Sequence, residues 1–431
     1  MTNKIKENWI FILVLFLLAG FYYYGIFLVP FHPDESTHIY MSQDLEILFS
    51  RPLSLAWEPD SPLTNEIMLR SLGAPLSKYL FGIGRLITDT PGLITDWNWS
   101  LSWSENLSAG AYPSDRLLLI SRSITTSLLL GSLVFLYKTI NNFFPKSTAL
   151  IAVIFLGLNP LFLLHGRRAM NEAAALMGIC FLLWALSHET IRPWLVGIAL
   201  AVAFNAKQST IALLPLGIIA VWRPFKIRSK PNIIAKRLVV LGTFFLLITY
   251  LLNPFFWKHP VQATQYSLEI TSELQENQLS DYYPSPADVK KQTLPYRALA
   301  LFSNLFLSPP STADVANYLT DIEPQEEIYF NFPLHSLGRS SISANVFIVL
   351  VLSGFIIGLI KVFTHEKSSV SIIYLLLLAS ILEFFFILFL LPLPWQRYIV
   401  PLLPFVSIWA AIGLMPLTDA LAQFISKVTS S

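Results

Sequence analysis

Stretches of about twenty apolar residues recur along the whole of this chain, and they restrict its fold more than any other feature of the sequence. A helix of that length crosses the hydrocarbon core of a bilayer and satisfies its own backbone hydrogen bonds there. The chain of 431 residues is 54% hydrophobic and only 13% charged, which excludes an ordinary soluble domain. We therefore predict an all-α polytopic membrane protein with about ten transmembrane helices. The predicted spans are residues 9–29, 117–137, 148–165, 170–187, 193–204, 209–222, 238–252, 343–363, 370–391 and 398–417.

The first span resembles a secretory signal, because Lys4 and Lys6 precede its apolar run. It is longer than a signal h-region and lacks a small-x-small cleavage site, so we predict an uncleaved signal anchor. Cys180 is the single cysteine and lies within a predicted span, which excludes a disulfide framework.

Positive charge orients the spans, since cytoplasmic loops carry an excess of Lys and Arg. The basic residues all lie on the same face of the membrane if 193–222 forms two short helices, with a break near Asn205-Ala206-Lys207. The opposite, extracytoplasmic face then carries two large loops, 30–116 and 253–342, which contain Trp- and Tyr-rich amphipathic helices and cap the bundle. The whole of 1–431 is thus predicted to be a single membrane-embedded module. The basic residues placed on the cytoplasmic face are Lys4, Lys6, Lys138, Lys146, Arg192, the block from Arg223 to Arg237, Lys361, Lys367 and Lys427.

A pair of carboxylates, Asp34 and Glu35, follows the first span directly. Placing carboxylates at the edge of a membrane costs free energy, so their presence there favours a functional role. Two other interpretations stay open. The pair could simply cap the helix that begins near Ser36, where negative charge is favourable. With His32 and His38 on either side, it could also form a metal site, although a hydrogen-bonded cluster is the commoner arrangement.

Cations and polar groups also gather at predicted helix ends on the outer face. Such a set suits a reaction on a phosphorylated, lipid-borne substrate, because cations hold the phosphate and offset charge on the leaving group. The alternative is contact with lipid headgroups alone. Glu383, deep in the ninth span, is either a buried polar contact or part of a proton path. The outer residues in question are Lys78, Arg167, Arg168, Asn171, Glu172, Asn205, Lys207, Gln208 and Arg397.

Several short motifs resemble one superfamily in order along the chain. A first span followed by Pro-Asp-Glu and an amphipathic helix resembles the C-type fold of membrane glycosyltransferases. Within it, the chain is most similar to the group of protein O-mannosyltransferases and lipid A aminoarabinose transferases. Two departures stand out. Gly73 and Ala74 replace the His-Pro of the mannosyltransferases, and the Glu-Lys-Pro-Pro of the aminoarabinose enzymes is absent. The further similar segments are 73–78 (Gly-Ala-Pro-Leu-Ser-Lys), 166–172 (Gly-Arg-Arg-Ala-Met-Asn-Glu), 205–208 (Asn-Ala-Lys-Gln), 253–260 (Asn-Pro-Phe-Phe-Trp-Lys-His-Pro) and 397–404 (Arg-Tyr-Ile-Val-Pro-Leu-Leu-Pro).

This resemblance implies that a sugar moves, with inversion, from a polyprenyl-phosphate donor to a hydroxyl acceptor on the extracytoplasmic face. Asp34 would be the general base, and Glu35 would orient it or a neighbouring loop. The acceptor could be a lipid, a polysaccharide or a protein; no nucleic acid is expected. No metal ligands carry over from the family, and a divalent ion is neither required nor excluded. For the donor phosphate the candidates are Lys78, Arg168, Lys207 and Arg397, with Glu172 orienting Arg168 and His38 hydrogen-bonded to Asp34.

Two other functions remain in competition. Broken helices and an intramembrane Glu383 are also features of transporters and lipid flippases, whereas the missing inverted repeat and the one-sided cap argue against them. A glycosyltransferase-like subunit without activity is the third possibility. In each case the protein would be multi-pass in the cell membrane, or in the endoplasmic reticulum membrane if eukaryotic.

Overall fold

The computed structural model describes residues 2–222, 231–283, 293–314, 318–364, 370–391 and 393–430, with the backbone alone at 2–7, 370–371 and 418–430. Within these ranges every regular element is a helix. Part of the predicted basic face, residues 223–230 and Lys367, lies outside the described residues, as does the side chain of Lys427.

The first long helix leads directly into a loop of short helices. Pro at the first helical position and a side-chain cap start several of these helices, which is why they begin so soon after one another. The first six helices are α1 (Thr2–Gly25), α2 (Pro33–Tyr40), α3 (Asp44–Ser50), α4 (Asn65–Leu72), α5 (Pro75–Ile87) and α6 (Trp103–Ala109).

The next seven helices form the middle of the bundle. The segment predicted as one span at 148–165 is divided in two, because Asn159 caps a new helix through its bond from the Leu161 N–H and Pro160 occupies the first position. These helices are α7 (Asp115–Asn141), α8 (Lys146–Gly157), α9 (Pro160–His165), α10 (Glu172–Leu186), α11 (Pro193–Ala206), α12 (Leu214–Trp222) and α13 (Pro231–Leu252).

The break predicted near Lys207 is present. Lys207 has an extended backbone (φ −157°, ψ 119°) after α11, and a 3₁₀ turn at Gln208–Leu213 leads into α12. The chain doubles back there, since Gly217 of α12 lies against Leu200 of α11. Arg237 of α13 donates to the carbonyls of both Val221 and Ile191, so the two outer ends of this hairpin lie on one side.

Of the remaining helices, some lie in the second large loop and the others form three long apolar segments. The final segment begins as a short helix, passes through a 3₁₀ turn at Val400–Leu402 and continues to Ser430. The helices are α14 (Pro260–Tyr282), α15 (Leu294–Phe306), α16 (Leu319–Phe330), α17 (Ser341–Thr364), α18 (Val370–Leu390), α19 (Gln396–Ile399) and α20 (Leu403–Ser430).

Within the described residues, 6 segments are long and apolar enough to cross a bilayer. Four shorter apolar helices accompany them, so a polytopic membrane architecture holds, while the figure of about ten crossings stays a prediction. The long segments are Asn8–Gly25, Asp115–Asn141, Pro231–Leu252, Ser341–Thr364, Ile372–Leu390 and Gln396–Leu417; the shorter ones are Lys146–Gly157, Glu172–Leu186, Pro193–Ala206 and Gln208–Trp222.

The centre of the bundle is built around α10, which is buried along nearly its whole length. Leu129 and Leu133 of α7 and Leu176 and Ile179 of α10 are fully buried in one continuous apolar core. In a bilayer such packing is stabilised by close van der Waals contact rather than by release of water. This rigid centre supports the turns at 166–171 and 207–208, where polar residues collect.

The two loops touch one another over one end of the bundle. The Trp57 N–H donates to the Phe255 carbonyl (3.0 Å), and the Phe31 N–H donates to the Gln325 side chain (2.9 Å). Together they enclose the carboxylate pair.

Candidate active site

Helix α2 is fixed at its start by a reciprocal cap. The His32 ring accepts from the Asp34 N–H (3.1 Å), and the Glu35 carboxylate accepts from the His32 N–H (3.0 Å). The capping interpretation is therefore correct for Glu35. Asp34 takes part through its backbone only, which leaves its carboxylate available for other contacts.

Glu35 is fully buried and fully bonded. Arg122 of α7 meets it with two parallel bonds, Nε to Oε2 (2.8 Å) and Nη2 to Oε1 (2.7 Å). The Ala169 N–H donates to Oε2 as well (2.8 Å). Burial opposes ionisation, but Arg122 holds the pKa of Glu35 below its usual value. A carboxylate this completely occupied joins α2 to the 166–171 turn and has no lone pair turned to a substrate.

Asp34 lies in a separate ionic cluster. Its carboxylate contacts the Arg397 guanidinium, whose Nε lies 2.9 Å from Asp314 Oδ2. Asp314 also bonds His32 Nε2 (3.2 Å). Burial opposes ionisation of Asp34, yet Arg397, His32 and His38 together hold its pKa below the usual value. About a quarter of the Asp34 side chain is exposed (23%), and its low pKa favours the ionised form.

Lys207 brings the helix break into the same cluster. Its ammonium group donates to Glu172 (2.9 Å) and to the Arg397 carbonyl (3.2 Å), and it lies over the Tyr398 ring. Glu172 is thus the partner of Lys207, and a role for Glu172 in orienting Arg168 stays a prediction. Lys207 and Arg397 place two cations beside Asp34, an arrangement that can receive a phosphate.

His38 is one turn along α2 from Asp34. Among the described residues no hydrogen bond joins the two, so the expected bond is absent. His38 does lie within electrostatic range of Asp34, Glu172 and Arg397, and burial lowers its pKa.

Arg168 and its neighbour Arg167 bind loop residues. Arg168 donates to the carbonyls of Pro30 (3.2 Å) and Thr312 (2.5 Å). Arg167 donates to the Leu163 carbonyl (2.5 Å) and meets His335 Nε2 (2.9 Å). Both side chains are buried, so they tie the two outer loops to the bundle; a role for Arg168 on the donor phosphate stays a prediction.

Lys78 occupies a different cluster. Its ammonium group bonds Asp44 (2.7 Å), which also accepts three bonds from the Nε and Nη2 atoms of Arg70. Among the described residues, the hydrogen bonds and ion pairs of this cluster do not include Asp34 or Arg397, so Lys78 is not brought together with the other candidates. In the described part of the chain no group of three His, Cys, Asp or Glu side chains could hold a metal ion.

Comparison with known proteins gives one family match and several structural ones. The family model for dolichyl-phosphate-mannose-protein mannosyltransferases matches residues 122–256. The oligosaccharyltransferase of Archaeoglobus fulgidus, tethered to an acceptor peptide, is 12% identical and matches with a TM-score of 0.54 over 98% of this chain and 51% of its own. The same archaeal enzyme in complex with an inhibitory peptide and a dolichol-phosphate is 14% identical, with a TM-score of 0.53 over 99% and 52%. The chain has the C-type membrane glycosyltransferase fold.

The chain spans about half the length of the archaeal structures it matches (52%). A protein O-mannosyltransferase complex of S. cerevisiae bound to the sugar donor is 16% identical, with a TM-score of 0.38 over 58% of this chain and 34% of its own. A search of curated proteins finds no match.

The two ionic clusters of this region, around Glu35 and around Asp34, also include residues that the motifs did not indicate. Asp314 lies in the second loop with no motif around it, and only the structure brings it to Arg397. Arg122 lies inside an apolar span, and a buried arginine there was a signal that could have been used. His165 is buried at the end of α9, with neither ring nitrogen hydrogen-bonded to a described residue.

Proposed function

We propose that the protein is an integral-membrane glycosyltransferase that moves a sugar, with inversion, from a polyprenyl-phosphate donor to a hydroxyl acceptor. The observation that carries the proposal is the contact between Asp34, an ionised and partly exposed carboxylate, and Arg397 at the start of a membrane segment. A base and a phosphate-binding cation are thereby adjacent at the depth where a lipid-borne sugar phosphate would lie. The family match and the shared fold support this assignment.

The reaction follows from that adjacency. The acceptor oxygen attacks the anomeric carbon as its proton passes to Asp34, and the bond from that carbon to the phosphate oxygen breaks on the opposite side. Polyprenyl phosphate leaves with the electron pair of the broken bond. Arg397 and Lys207 offset the negative charge that grows on it. Burial would raise the pKa of Asp34, but Arg397, His32 and His38 lower it, so the carboxylate stays ionised and can accept the proton.

The other members of the cluster position these groups. Glu172 and Asp314 hold Lys207 and Arg397 in place, and Glu35 fixes the start of α2. We place the site on the extracytoplasmic face, where the flipped lipid-linked donor would be available. A protein, glycolipid or polysaccharide acceptor is compatible with the cap of two loops.

The test is transfer from a panel of radiolabelled polyprenyl-phosphate sugars by purified wild type and Asp34→Asn. We expect the turnover of the variant to fall about 100-fold or more, with donor binding retained, because the amide keeps the shape and loses the base. The matched control is Asp60→Asn, an exposed carboxylate of the same loop, which should transfer at the wild-type rate.

Equal turnover of wild type and Asp34→Asn would remove Asp34 from the mechanism. If wild type neither binds nor turns over any donor, the donor class is wrong. Lipid transport across reconstituted vesicles then becomes the measurement that decides in favour of a flippase.

A further inference from the structure

A second polar cluster lies where the two outer loops meet, away from the carboxylate of Asp34. Asp44 of α3 accepts from Lys78 Nζ (2.7 Å) and from Arg70 Nη2 (2.7 Å) and Nε (3.1 Å). All three side chains are almost entirely enclosed, with exposed fractions of 8% for Lys78, 13% for Arg70 and 4% for Asp44. Two cations therefore share one carboxylate in a place with little water to offset the remaining positive charge.

This cluster borders a cavity that opens to solvent, with about 230 Å³ of empty space when the open mouth is included. The cavity lies between the helices of the first loop and the 253–255 segment that opens the second loop, with Phe255 as an aromatic wall. The Tyr79 hydroxyl, which also belongs to the lining, is buried and has no hydrogen-bond partner among the residues described. A buried hydroxyl of this kind costs free energy unless a ligand or water bonds to it. The cavity thus offers an excess of donors and one positive charge.

The cavity is adjacent to the candidate active site without being part of it. Asn253, at its edge, donates to the Asn205 side chain, and Asn205 lies two residues before Lys207. A molecule seated against Lys78 would therefore lie across the helix break from Lys207 and Asp34. Burial lowers the pKa of Lys78 against the opposing effect of Asp44, so an anion would be a further favourable partner for its ammonium group.

We propose that this cavity binds an anionic group, a carboxylate or a phosphate, on a sugar-sized part of the acceptor. The inference rests on the proposed function and deepens it, since it assigns Lys78 to the acceptor instead of to the donor phosphate. Lys78 and Arg70 supply the charge, and the Tyr79 hydroxyl donates the additional hydrogen bond. Phe255 packs against the apolar face of the sugar ring.

Ligand-observed NMR on the full chain in detergent micelles tests this without any need for turnover. The probes are glucuronate, glucose 6-phosphate and neutral glucose. We expect at least one charged sugar to bind about tenfold or more tightly than glucose, and Lys78→Gln to abolish that preference. Lys78→Arg should retain it, which separates lost charge from lost folding. The matched control is Lys258→Gln, since Lys258 pairs with Glu58 on the same loops but outside the cavity.

Comparison of the two charged sugars distinguishes a carboxylate from a phosphate. Equal binding of charged and neutral sugars, or an undiminished preference in Lys78→Gln, would overturn the proposal. Farnesyl phosphate supplies the second arm, and its binding should depend on Arg397 and not on Lys78. If Lys78→Gln weakens farnesyl phosphate as much as Arg397→Gln does, the cavity belongs to the donor and our assignment is wrong. If wild type binds no farnesyl phosphate at all, the proposed function fails, while the charged sugars still decide about the cavity.

Discussion

At the scale of single residues, the two adjacent carboxylates have opposite surroundings. Glu35 is fully enclosed and bonded to Arg122, whereas the carboxylate of Asp34 stays partly exposed beside Arg397. The sequence identified the pair and its capping role from local rules. It could not assign partners, because Arg122 is 87 residues away from Glu35 and Arg397 is 363 away from Asp34. Only the folded bundle determines which carboxylate is left for chemistry.

Replacing Arg122 should be among the most destabilising changes in the chain. Arg122→Gln leaves Glu35 as a buried, uncompensated charge, and we expect a loss of about 3–5 kcal/mol in the free energy of unfolding. Denaturant titration of the purified protein in detergent measures it. The exposed Arg116→Gln, on the same helix, should cost less than about 1 kcal/mol.

A double variant, Glu35→Gln with Arg122→Met, removes both charges of the pair. Because neither charge is left buried without its partner, the loss in the free energy of unfolding should be smaller than the sum of the losses of the two single variants. An Arg122→Gln variant as stable as wild type would show that Glu35 is not held as the structure has it.

At the scale of helices, the sequence predicted the break before α12 but not the division of 148–165 into α8 and α9. The first prediction came from the charge of a whole region, through the positive-inside rule. The second depended on one Asn-Pro step within an apolar run, and transmembrane helices tolerate proline often enough for the run to be interpreted as continuous. Apolar runs also gave no indication of which helices touch.

Contact between α17 and α20 depends on two glycines. A Cβ added at Gly354 would lie 1.8 Å from the Trp409 carbonyl oxygen, and one added at Gly413 would lie 2.0 Å from that of Leu350. Gly354→Ala should therefore push the helices apart and cost about 1–3 kcal/mol or more of stability. Thermal unfolding in detergent is the measurement. Gly242→Ala on α13 is the control, since nothing lies within 4 Å of its added Cβ, and it should be neutral or slightly stabilising. Equal melting of the two variants would contradict the close approach.

At the scale of the whole molecule, the class of fold followed from composition and periodicity. The side of the membrane that holds the candidate site is a prediction from charge alone. Asp314 contacts Arg397 from a loop segment that no motif marks, so the site was only partly predictable. Of the candidates found by motif, Asp34, Lys207 and Arg397 lie together at helix ends. Lys78 and Arg168 contact other groups. The residues between them, His165 and Asp314, come from segments without a recognisable pattern.

Labelling of single cysteines tests the orientation directly. In a Cys180→Ala background, Ser100→Cys on the first loop and Ser272→Cys on α14 are exposed positions that we expect to react with a membrane-impermeant maleimide in intact cells. Thr190→Cys, exposed between α10 and α11, should react only after permeabilisation, because Arg192 places that turn on the cytoplasmic side. The reverse labelling pattern would show that the loop with Asp34 lies on the cytoplasmic side. Because nucleotide sugars are found in the cytoplasm, the reaction would then not need a lipid-linked donor flipped across the membrane. The donor would have to be sought among soluble sugar nucleotides.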